Sequence, residues 1–179
     1  MLASPYEDTP AAPGSVTEVV NHWVVGVDPG GRETGLVLCA GRVVLEREVV
    51  THHGDKGTLP DTAYLNRVLD RVHHYRKIAG ADDPLVAVEG LVKPTAQMGL
   101  TAVIPLIGTG MVLGAVLAVY PAAVVVRPGG HGSAFITAYP EELRPTRGQG
   151  KGTDRLRHTR SAYDIAHAGR IAAAQRRAR

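Results

Sequence analysis

The hydrophobic pattern changes period several times along the chain, and each change marks an element. Val24–Val27 is an unbroken apolar run, the pattern of a strand covered on both faces. Gly35–Ala40 (GLVLCA) reads as a second strand and Arg42–Val50 (RVVLEREVV) as a third, joined tightly at Gly41 as a hairpin. From Leu59 to Ile78 the residues Leu65, Val68, Leu69, Val72, Tyr75 and Ile78 recur at helical spacing. Leu85–Val88 (LVAV) predicts a fourth strand and Ala122–Val126 (AAVVV) a fifth. Ser161–Arg177 predicts a last helix, with alanines on one side and arginines at its end. Three hairpin-linked strands followed by strands with helical crossovers predict an α/β domain with a mixed five-stranded sheet, residues 21–179.

Two stretches break the pattern. Pro94 to Val126 holds no charged residue and is long enough to suggest a membrane span. Gln97, Thr101, Pro105, Thr109 and four glycines dilute it, and the strands on either side need a crossover helix. We therefore read no membrane segment but a helix buried by its own sheet and by a second copy, a homodimer through Met98–Val119. Residues 128–158 are rich in Gly and Pro and read as a flexible loop segment. Residues 1–20 are polar, Pro-rich and acidic, a disordered leader rather than a signal peptide.

Composition adds two constraints. A single cysteine, Cys39, excludes a disulfide framework and a cysteine zinc site, and fits a reducing, cytoplasmic setting. The net charge of +3 is unevenly spread: residues 1–139 carry −3 and residues 140–179 carry +6. A basic patch of that kind suits a polyanion.

One residue does not fit a buried strand. The run before Asp28 is apolar, and DPGGRETG follows. A dinucleotide-binding loop needs G-x-G-x-x-G opening a helix; here the glycines are Gly30, Gly31 and Gly35, and a strand follows. An actin-like phosphate-binding hairpin fits locally, although such proteins need two domains of this kind. The third reading is a metal-binding carboxylate of a nuclease. It requires other hard oxygen ligands to converge on Asp28. Glu89 follows LVAV as Asp28 follows VVGV, so both can stand at the same end of adjacent parallel strands. Asp164 lies in the first turn of the predicted last helix, where negative charge is favoured.

GVDPGGRETG resembles the first motif of the RuvC-type crossover-junction endonucleases, which have the ribonuclease H fold. VAVEG is similar to their second acidic motif and SAYDIAHA to their final Asp-bearing helix. The resemblance implies a homodimeric endodeoxyribonuclease that cuts branched DNA, above all four-way Holliday junctions, with two Mg²⁺ ions, or Mn²⁺ in their place. It assigns Asp28, Glu89 and Asp164 as catalytic metal ligands. The family's usual fourth ligand, three residues before the last Asp, falls on Ser161, with His158 and His167 nearby. The loop after the second acid, GLVKPTAQ, has Val92 where family members carry an aromatic. For DNA contacts the reading takes Arg32, Lys93, Arg127, Arg147, Lys151, Arg155, Arg157 and Arg160. A catalytically silent branched-DNA binder and an actin-like nucleotide-binding protein are the alternatives.

Overall fold

A computed structural model describes residues 23–55, 57–80, 83–93, 99–145 and 156–178. Five strands form one sheet: β1 (Trp23–Asp28), β2 (Glu33–Ala40), β3 (Val43–Thr51), β4 (Leu85–Glu89) and β5 (Val124–Val126), in the order β3-β2-β1-β4-β5. The first three pair antiparallel as a meander, and β4 and β5 join parallel to β1. The crossovers are α1 (Thr62–Ala79) and α2 (Leu100–Val119), and α3 (Arg157–Arg177) closes the chain. The mixed five-stranded sheet expected from the hydrophobic pattern is therefore present. Element ends differ by a few residues: α3 starts four residues earlier than its alanine pattern suggests, and β5 is shorter.

The two faces of the sheet are covered differently. Strand residues alternate between faces. Val25, Val27, Leu36, Leu38, Val86 and Val88 meet Tyr64, Val68, Val72 and Tyr75 of α1 and Val112 and Val116 of α2. Asp61 caps α1 by accepting the Tyr64 N–H at 2.6 Å. Val24, Val37, Cys39, Ala87, Val124 and Val126 face α3, which offers Ala162, Tyr163, Ile165 and Ala166.

Close approach on the α3 face depends on missing side chains. A β-carbon on Gly26 would stand 2.0 Å from the Ala162 carbonyl oxygen, and one on Gly169 would stand 2.3 Å from the Ala87 β-carbon. At Gly35 it would lie 2.1 Å from the His158 carbonyl oxygen. Backbone thus packs on backbone, and α3 has one rotation about its axis that the sheet accepts.

The segment after β5 is more ordered than its composition suggests. Residues 128–145 contain two short 3₁₀ turns, Ile136–Ala138 and Glu141–Leu143. Tyr139 and Leu143 are buried in the α3-side core. Gly and Pro serve here as turn-formers rather than as a source of freedom.

Helix α2 is long and apolar enough to cross a membrane by length and composition. One side is seated on the domain through Val112 and Val116, and Gly108 lies against Gly31 and Pro60. Val103, Ile104, Ile107 and Val119 are exposed. Met98, at the start of the expected dimer segment, lies outside the described residues.

Candidate active site

Asp28 and Glu89 close two parallel strands whose last paired residues are Val27 and Val88. Those valines point to α1 and α2, so the alternation sends both carboxylates to the α3 face. The turn after Asp28 is held from behind. Tyr64 Oη donates to the Gly30 carbonyl at 2.7 Å, and Thr34 Oγ1 lies 2.7 Å from the same hydroxyl. The strand therefore ends in a fixed turn with its carboxylate nearly buried.

Imidazoles stand against both carboxylates. His158 Nδ1 is 2.8 Å from Asp28 Oδ2, and its Nε2 is 3.3 Å from Glu33 Oε2. The hydrogen bond to Asp28 raises the His158 pKa, outweighing burial, with the Asp28 and Glu33 charges adding to the shift. His131 Nε2 lies 3.8 Å from Glu89 Oε1 and 3.1 Å from the Arg127 carbonyl oxygen. Glu89 also accepts the Gly129 N–H at 3.2 Å. Burial raises the Glu89 pKa, and the Asp28 charge raises it further.

Asp164 is held by the segment after β5. Its Oδ2 accepts the Tyr139 hydroxyl and the Gly132 N–H, each at 2.8 Å. Gly132 has a φ of +76°, which side-chain-bearing residues rarely adopt, and it lies against the backbone of Ser161 and Arg157. The Pro128–Gly132 loop thus bridges two acids, giving one N–H to Glu89 and another to Asp164. Ser161 is buried on α3 beside this loop. His167 packs on Tyr163 and accepts from Arg170, and burial followed by the Arg170 and Arg42 charges lowers its pKa. It borders the surface groove of Asp164, Tyr139, Arg42 and Arg170.

Among the described residues no three His, Cys, Asp or Glu side chains gather where they could hold one metal ion. The donor set still fits one Mg²⁺, because that ion keeps several waters and is commonly bound by one or two carboxylates plus substrate phosphates. Asp28 and Glu89 supply two carboxylates, each with a histidine beside it. The third expected ligand, Asp164, has its Oδ2 engaged by the loop.

The basic residues divide as well. Arg32, Lys93, Arg127 and Arg157 are exposed. Arg160 is not a surface cation: it is 4% exposed, donates to the Leu143 carbonyl and lies over the Tyr139 ring. Its position on α3 turns it under the 128–145 segment, so an expected DNA contact is a core residue. Arg147, Lys151 and Arg155 lie outside the described residues. Sequence reasoning passed over His131 and Glu33. The pattern PGGHG after a strand that neighbours an acid-tipped strand is the signal that points to His131.

A meander followed by two parallel strands in the order 3-2-1-4-5, with helices on both faces, is a ribonuclease H-like fold. Within that class the chain is similar to RuvC of Thermus thermophilus. The structure of that RuvC in complex with a Holliday junction substrate matches with a TM-score of 0.53 at 24% identity, over 86% of this chain and 96% of that one. The Thermus thermophilus RuvC structure matches with a TM-score of 0.50 at 25% identity over the same shares. These likenesses give the fold as RuvC-like. No protein-family model and no curated protein matches the chain.

Proposed function

We propose that this protein is a divalent-metal-dependent endodeoxyribonuclease acting on branched DNA, Holliday junctions foremost, in the cytoplasm. The observation that carries the reading is the Asp28–Glu89 pair: two carboxylates at the ends of adjacent parallel strands, directed to one face of the sheet. Two carboxylates so placed are a donor set that a divalent cation can bridge with its own waters. The RuvC-like fold supports the substrate class.

Asp28 and Glu89 would hold Mg²⁺ or Mn²⁺, which when bound activates water and stabilises charge on a phosphodiester. The chain's own residues do the rest. Tyr64 and Thr34 fix the turn that aims Asp28. His158 hydrogen-bonds Asp28, and Gly129 and His131 orient Glu89. Exposed Arg32, Lys93, Arg127 and Arg157 are placed to meet backbone phosphates. In this account Asp164 is a positioning residue that ties the Pro128–Gly132 loop to α3 rather than a metal ligand.

The exposed apolar side of α2 is the proposed dimer surface, with Ile104 and Ile107 at its centre. Two copies related by a two-fold axis would set two sites at fixed spacing for the two strands of a junction. Light scattering checks this: the account predicts a dimer, and Ile107→Glu should yield monomers.

A second reading, a branched-DNA binder without cleavage, is favoured by the same engagement of Asp164 and by Ser161. Titrating Mg²⁺ or Mn²⁺ into a synthetic junction with wild-type protein separates the two. Strand scission that rises with metal supports the nuclease; binding with no scission at any metal concentration supports the binder.

A further inference from the structure

The outer side of α3 borders a groove that the acidic pair does not use. Its volume is about 570 Å³, the size of a small-ligand site. It lies between α3, residues 137–144 and the β2–β3 turn, and each contributes one arginine: Arg170, Arg144 and Arg42.

These cations have no partner of opposite charge. Among the described residues, no Asp or Glu side chain pairs with Arg42, Arg144 or Arg170. The carboxylate of the groove, Asp164, already accepts from the Tyr139 hydroxyl and the Gly132 N–H. His167 accepts from Arg170, and burial followed by the Arg170 and Arg42 charges lowers its pKa. Those two charges therefore act on one spot from different elements.

The arginines are also held in place. Arg144 Nε donates to the Tyr139 carbonyl at 2.8 Å, and its Nη2 donates to the Thr137 carbonyl at 3.1 Å. Tyr163 Oη donates to the Arg42 carbonyl at 3.3 Å, which ties the β2–β3 turn to α3. A guanidinium fixed by two carbonyls has lost much of its freedom before a ligand arrives, and it keeps other N–H groups for an acceptor. Three such forks, entering from three elements, suit an anion whose oxygens point in several directions. A phosphate group has that shape, whereas a carboxylate offers two oxygens in one plane. The groove also stands apart from the acids. Trp23 pairs with Ala40 and Asp28 with Gly35, so the turn that carries Arg42 is at the far end of β1 from Asp28, about 17 Å along the strand.

We propose that Arg42, Arg144 and Arg170 form a phosphate-binding groove on the flank of α3 that works without a metal ion. Two sources carry that chemistry, the backbone of a DNA arm and a free phosphate compound. The test uses the full chain in EDTA, which removes the cation that the acidic pair would need to hold a phosphate. In titration calorimetry with pyrophosphate, wild type and Asp28→Asn should bind alike. Arg42→Gln combined with Arg144→Gln should weaken binding about 10-fold or more. Arg42→Gln alone should weaken it about 3-fold, and decides the matter if the double variant fails to fold. Arg47→Gln, at an exposed position of β3 outside the groove, should change nothing. An unbranched duplex titrated in the same way tells the sources apart. A matching loss on duplex assigns the groove to a DNA arm; an unchanged duplex Kd assigns it to a free phosphate compound. The proposal is overturned if wild type binds no pyrophosphate, if the groove variants bind it as wild type does, if Arg47→Gln weakens it equally, or if Asp28→Asn abolishes it. None of these arms requires strand cutting, so the groove stands or falls apart from the nuclease reading.

Discussion

The two faces of this sheet are built on opposite principles. Toward α1 and α2, branched and aromatic side chains fill the gap between layers. Toward α3, glycines and alanines bring helix and sheet into backbone contact at Gly26, Gly35 and Gly169, with larger side chains around those points. The first arrangement tolerates small shifts, since side chains repack. The second leaves no room for an added side chain where backbone lies on backbone. The chemistry sits on the second face. His158 meets Asp28 because Gly35 lets the first turn of α3 rest on β2 directly opposite Asp28.

Substitutions should separate the faces. Gly26→Ala forces a β-carbon into the Ala162 carbonyl and should cost more than about 3 kcal/mol, enough to lose most folded protein, as urea unfolding would show. Val27→Ala, one residue along on the other face, removes two methyl groups from a buried site and should cost about 2 kcal/mol. A milder loss for Gly26→Ala than for Val27→Ala would break the comparison. Tyr139→Phe removes the hydroxyl that joins Asp164 to Ala134 and should cost about 1.5 kcal/mol, with the loop's amide protection falling in hydrogen exchange.

The smallest effect concerns Cys39, buried under α3. Burial pushes its thiol pKa from 9.0 up to about 12. Folded protein should therefore resist Ellman's reagent at pH 8 and react fully in urea. Because the unfolded thiol ionises first, the folded state loses stability as pH rises above 9 toward 12. Rapid labelling of the folded chain would show that α3 is not seated as described.

Much of this was legible in the sequence. An apolar run ending in an acid, twice, located Asp28 and Glu89 at strand ends, because strand burial and strand termination are local signals. The seating of α3 on the sheet also has a signal in the sequence. Ala162, Ala166 and Gly169 recur at helical spacing and face the sheet. His158, four residues before Ala162, shares that face. Asp164, two residues after it, points about 200° away at 3.6 residues per turn. What α3 presents on its far side depends on residues 128–145, whose Gly- and Pro-rich sequence has no period to announce that Tyr139 and Leu143 enter the core. The burial of Arg160 has the same origin.

The central claim is that the acids at the strand ends carry the chemistry while the acid on α3 carries the loop. Single-turnover cleavage of a synthetic four-way junction by Asp28→Asn and Asp164→Asn compares them directly, since asparagine at 164 keeps an oxygen for Tyr139 and Gly132. The account predicts a loss of more than about 100-fold for Asp28→Asn with junction binding retained, and a loss within about 10-fold for Asp164→Asn. Equal collapse of both variants, or cleavage that survives Asp28→Asn, would contradict it.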